Sequence, residues 1–108
     1  MPFHEVLDLE AREQFPGFHG RFIHTERVTV AYWEIDAGVN LPEHSHEHEH
    51  EQISHLLEGE FEMTIDGTTH TLTAGSVAVV PTTAVHSGRA LTKCRFIDVF
   101  QPARDDYR

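Results

Sequence analysis

With 108 residues, 39% of them apolar and dispersed in short runs, the chain has material for one modest core, and a single domain spanning residues 1–108 is expected. A formal charge of −10, with eight Lys and Arg scattered along the chain, opposes contact with nucleic-acid phosphates and anionic membrane surfaces. No run approaches the roughly 20 apolar residues of a bilayer span, the acidic start MPFHEVLDLEAREQF is unlike a signal peptide, and the lone Cys94 has no internal partner, so a cytoplasmic protein is expected.

In chain order, Glu5 to Gln14 is the one segment with helical character. Val28 to Ile35 (VTVAYWEI) is β-branched and aromatic, and Asp36-Ala37-Gly38 turns after it. Ile53 to Leu57 and Glu60 to Ile65 meet at Gly59, and Asp66-Gly67 is a hairpin signal before Thr68 to Leu72. Ala74-Gly75 turns again, Val77 to Val80 is an apolar run closed by Pro81, and a last strand runs from about Cys94 to Phe100. Short strands at this spacing predict an all-β fold, a barrel or double sheet.

The outlier in composition is histidine: ten in all, with His44, His46, His48, His50 and His55 inside twelve residues. On a strand the i, i+2 spacing of His44 and His46 puts two imidazoles on one face. His86 adds a third from a distant strand, and Glu51 or Gln52 can add an oxygen, a donor set suited to one first-row divalent ion, with Zn, Mn, Fe and Ni all acceptable. His48 and His50 read as a solvated, acid-flanked loop. His55, His4, His19, His24 and His70 read as ordinary polar residues.

The pattern G-x5-HxH from Gly38, then an amide or acid ahead of Gly59, then G-x5-P-x4-H from Gly75 through Pro81 to His86, resembles the two motifs of cupins. The resemblance covers Val28 to Phe100 and implies a double-stranded β-helix, or jelly-roll, barrel preceded by a short N-terminal segment. It also implies Gln52 as the fourth ligand, because that ligand lies seven residues before the motif glycine. The interval from His46 to Gln52 is longer than usual in the family; His46 and His48 would restore it, but only by breaking the interval from Gly38, so His44 and His46 are preferred.

Alternation along the last strand puts Cys94, Phe96, Asp98 and Phe100 on one face and Arg95, Ile97 and Val99 on the other. A carboxylate on an apolar face costs several kcal/mol unless it is partnered or used. The segment DVFQPARDDY is similar to the D-x-F-x3-R tail of KdgF-type cupins, which linearise unsaturated uronates from pectin and alginate. That resemblance implies a metal held by His44, His46, Gln52 and His86, Asp98 as general acid/base, Phe100 against the sugar ring and Arg104 on the carboxylate of an anionic small-molecule substrate. Without such a substrate, Arg104 would pair with Asp105 or Asp106. The competing readings are an Fe(II)-dependent dioxygenase and a non-catalytic sugar-binding or metal-storing barrel. Exposure of Trp33, Ile97 and Val99 is expected to be covered in a homodimer, which the family resemblance also implies.

Overall fold

The computed structural model describes residues 2–44 and 50–108, with backbone alone at His44. Period-two burial builds it. In β10 (Cys94–Gln101), Cys94, Phe96, Asp98 and Phe100 turn inward, while Arg95, Val99 and Gln101 are exposed. The same rhythm buries Ala31, Trp33 and Ile35 of β3 (Thr29–Ile35) and Gln52, Ser54 and Leu56 of β5 (Glu51–Glu58). The remaining strands are β1 (Arg12–Phe15), β2 (Phe18–His24), β4 (Asn40–His44), β6 (Phe61–Ile65), β7 (Thr68–Leu72), β8 (Val77–Val80) and β9 (His86–Ala90).

Two antiparallel sheets result, one in the order β1-β2-β3-β10-β5-β8 and the other β4-β9-β6-β7. This is the expected all-β jelly roll. The inner faces meet in a shared core where the Phe61 and Phe96 rings pack edge to face at 5.1 Å. The Asp66-Gly67 turn joins β6 to β7 with positive φ at both central residues (47° and 82°), the geometry that keeps a twisted hairpin in register. Among the described residues no helix is long and apolar enough to cross a membrane.

Two expectations are corrected and one strand is added. Glu5 to Gln14 is not a helix: only a 3-10 turn forms at Val6–Asp8, and Arg12–Phe15 is strand β1. Leu7 there is 75% exposed, so nothing buries an apolar stripe, and so short a helix is marginal alone. Phe18–His24 is a full strand that its composition hid. Its Gly20, a residue that weakens strand signals, is required because a Cβ there would come within 2.6 Å of the Trp33 ring. Trp33 itself is not on the surface. It is 5% exposed, packed edge-on against Phe18 and Phe22.

Candidate functional site

Strand register assembles the site. β10 lies between β3 and β5, with Asp98 opposite Ala31 on one side and Ser54 on the other, and Phe100 opposite Gln52. In the facing sheet, β9 pairs with β4 so that positions 86 and 44 are directly opposite. Gln52, His86, Asp98, Phe100 and Arg104 thereby line one cavity of about 40 Å³, together with Trp33 and Tyr107. That volume holds a water or an ion and not a sugar ring, so a larger ligand must sit outward of it. A wider cavity of about 490 Å³ between β7 and β8 has the exposed His70 as its one titratable side chain among the described residues, and another of about 520 Å³ is lined by Glu43, Glu62 and Arg89 near β4 and β9.

Inside this cavity Asp98 Oδ2 accepts hydrogen bonds from Trp33 Nε1 (3.1 Å) and, more distantly, from Gln52 Nε2 (3.4 Å). Gln52 Nε2 also donates to Ser54 Oγ (2.9 Å), which fixes the amide orientation. Two buried atoms, Gln52 Oε1 and Asp98 Oδ1, have no hydrogen-bond partner among the described residues. Burial pushes the Asp98 carboxyl from 3.8 up to about 6, because desolvation outweighs the nearby Ser54 hydroxyl, the Trp33 N–H and the Arg104 charge. Native structures rarely leave such atoms unpaired unless a ligand or chemistry uses them.

The residues present fit a metal. Gln52 Oε1 is a buried neutral oxygen donor without a hydrogen-bond partner among the described residues. The His86 Nδ1–H is directed at the Ala84 carbonyl (3.3 Å), a contact that selects the tautomer with its lone pair on Nε2. Of the other expected ligands, His44 is placed by its backbone opposite His86, and His46 lies outside the described residues, as does His48. Among the described residues no group of three or more His, Cys, Asp or Glu side chains converges as a metal cage. His50 faces the Pro102 carbonyl at 2.9 Å, a contact to the C-terminal tail.

That tail brings in what the sequence reading missed. After β10 the chain turns at a cis Gln101–Pro102 bond and folds back so that Tyr107, 4% exposed, lies beside the cavity. Two backbone points tie it down. The Arg104 N–H donates to Thr29 Oγ1 (2.8 Å), and the Tyr107 carbonyl accepts from Arg12 and from His24 Nε2 (3.2 Å). Thr29 Oγ1 in turn faces His24 Nδ1 at 2.9 Å, and burial lowers the His24 pKa, so a neutral imidazole bridges the two. His24 is thus structural. Arg104 makes the acid pair anticipated for it, donating from Nε and Nη2 to Asp106 at 2.9 and 2.7 Å, while Arg108 takes Asp105. It is nevertheless a cavity residue: its guanidinium lies over Phe100 (4.8 Å) and Tyr107 (4.1 Å) and is the one Lys or Arg side chain on that wall.

Comparison with known proteins agrees with the fold. A family model described as cupin domain matches residues 31–100. KdgF from Halomonas sp. superposes with a TM-score of 0.92 at 28% identity, covering 100% of this chain and 99% of that one. An RmlC-like cupin from Shewanella frigidimarina gives 0.93 at 28% identity, with 100% and 96% covered. A salicylate 1,2-dioxygenase from Pseudoaminobacter salicylatoxidans gives 0.75 at 17% identity, covering 82% of this chain and 27% of its own, a likeness of fold alone. No curated protein matches the chain by sequence.

Proposed function

Because the chain belongs to the cupin domain family and resembles KdgF over its whole length, we propose that it holds one divalent metal ion through His44, His46, Gln52 and His86 and opens 4,5-unsaturated monouronates to the linear keto acid. One observation carries this reading: an unpartnered amide oxygen, an imidazole, a carboxyl of raised pKa and a guanidinium meet on one small cavity. An ion held by these residues would supply Lewis acidity, and the donor set does not choose among Zn, Mn, Fe and Ni.

The ring opening conserves the molecular formula. The C1 hydroxyl loses a proton as the C1–O5 bond breaks, C5 becomes a ketone, and the electrons of the C4=C5 bond take up a proton at C4. Asp98 is suited to both transfers, since Oδ2 is held by Trp33 and Oδ1 is left to face the ligand. Arg104 pairs with the uronate carboxylate, and Phe100 supplies apolar wall. A cavity of about 40 Å³ is too small for a sugar ring, which supports a substrate held at its mouth. Incubation with an unsaturated monouronate, followed by loss of its conjugated ultraviolet absorbance, tests the reading. Wild type should bleach the signal and Asp98→Ala should not; a metal-loaded wild type that leaves the absorbance unchanged rejects it.

A second copy of the chain is the partner we infer for the outer face of the six-stranded sheet. Ile23, Val30, Val99, Ile53 and Val79 stand in register across five strands, with Ile53 48% and Val79 65% exposed. The neighbouring row, Arg21, Tyr32, Ile97, His55 and Val77, also lacks acids, although the chain carries 18. A flat face of short β-branched side chains suits another flat sheet, and an acid-free centre lets two strongly negative copies meet. Light scattering should give twice the chain mass for wild type and the single mass for Ile53→Glu; a monomeric wild type at tens of micromolar sinks the dimer.

A further inference from the structure

We infer that Asp106 is a positioning residue that presents Arg104 to a carboxylate ligand, an inference that rests on the proposed role of Arg104. The guanidinium is held on three sides. The Phe100 and Tyr107 rings, 5.8 Å apart and edge to face, cup it at 4.8 and 4.1 Å, and Asp106 takes the Nε–Nη2 edge through two short bonds of 2.9 and 2.7 Å. The backbone of the same residue is fixed by Thr29.

A guanidinium has five N–H donors in one plane, and a carboxylate can bind along either of two edges. Asp106 occupies the edge nearer the chain. The Nη1–Nη2 edge is what Asp106 leaves for a ligand's carboxylate, beside the Tyr107 hydroxyl, to which Arg104 also donates. The asymmetry of exposure fits this division: the Arg104 side chain is 13% exposed and that of Asp106 57%. Asp106 stands on the solvent side with its own pKa held low by the guanidinium, and the arginine faces the cavity.

An exposed ion pair is ordinarily worth little to stability. This one does its work by removing the freedom of a long side chain before a ligand arrives, the general route by which pre-organisation raises affinity. Asp106 therefore sets how tightly an anionic substrate is held, and leaves the proton transfers at Asp98 alone.

The test uses Asp106→Asn, with Asp106→Glu as the conservative rescue and glucuronate as a saturated probe. Asp106→Asn should raise KM for the unsaturated monouronate and weaken glucuronate binding by calorimetry, each on the order of tenfold, with kcat within about twofold. Asp106→Glu should recover most of the affinity. In nitrogen-15 spectra the Arg104 Nε–H should be protected from exchange in wild type and lose that protection in Asp106→Asn. Unchanged or tighter binding in Asp106→Asn overturns the inference, because Asp106 would then be idle or a competitor for the fork. If wild type turns over no uronate but these glucuronate differences persist, the proposed reaction falls and the positioning role stands. Failure of wild type to bind glucuronate defeats both.

Discussion

Replacing Asp98 by Asn is expected to lower kcat on an unsaturated monouronate on the order of 10³-fold, the usual contribution of a positioned general acid and base. The same substitution should raise the melting temperature of the metal-free protein at pH 7.5. The two effects share a cause. Asp98 is 9% exposed and its carboxyl is raised from 3.8 to about 6, so at neutral pH the fold holds a charge against desolvation. A rise of that size corresponds to about 3 kcal/mol between the protonated and ionised states. The native state therefore binds more protons than the unfolded chain between about pH 4 and 6. The stability due to protonated Asp98 is fully present below about pH 4 and lost as pH rises through 6. Asn has no charge to lose, and its oxygen can accept from Trp33 as Oδ2 does. Thermal melts of both proteins at pH 4 and 7.5 check this: the advantage of Asn should appear at pH 7.5 and vanish at pH 4. Equal melting temperatures at both pH values would remove the buried-charge explanation.

Gln52→Glu is expected to keep the metal and still cost on the order of 10²-fold in kcat. The amide at position 52 has two jobs that a carboxylate cannot share. Its oxygen faces the cavity, and its nitrogen donates to Ser54 at 2.9 Å and toward Asp98 Oδ2 at 3.4 Å. A glutamate supplies the oxygen, so it can ligate, but it turns that second contact into one between two carboxylates in a dry site, where like charges cannot both ionise cheaply. Removing the oxygen as well, in Gln52→Ala, should lower metal occupancy. Elemental analysis beside kcat separates the cases, since a glutamate variant with full metal and full activity would show that the amide nitrogen plays no part.

How much of this could be read from the chain depends on the range of each interaction. Asp98 and Phe100 were legible because period-two alternation in Cys94 to Phe100 is local, and the inward face it assigns is the one observed. Gln52 and His86 were found through spacing from Gly59 and Gly75, and both line the cavity. Trp33 was misplaced because what covers it comes from afar: Phe18 and Phe22 from a strand that Gly20 disguised, and Tyr107 from the tail. Tyr107 had no signal of its own. Its place depends on bonds to Arg12 and His24, contacts across 95 and 83 residues that no local pattern encodes. The choice between His44 with His46 and His46 with His48 falls largely outside the described residues, so it rests on spacing alone.

The most direct test of metal-assisted uronate linearisation by this cupin is proton and carbon NMR of the product formed from an unsaturated monouronate in D2O under nitrogen. The expected result is complete conversion without oxygen to the linear keto acid, carrying one deuterium at C4 where the proton is delivered. Recovery of unaltered substrate from the metal-loaded protein, or conversion only when oxygen is admitted, would contradict it and leave the binding or dioxygenase reading in its place.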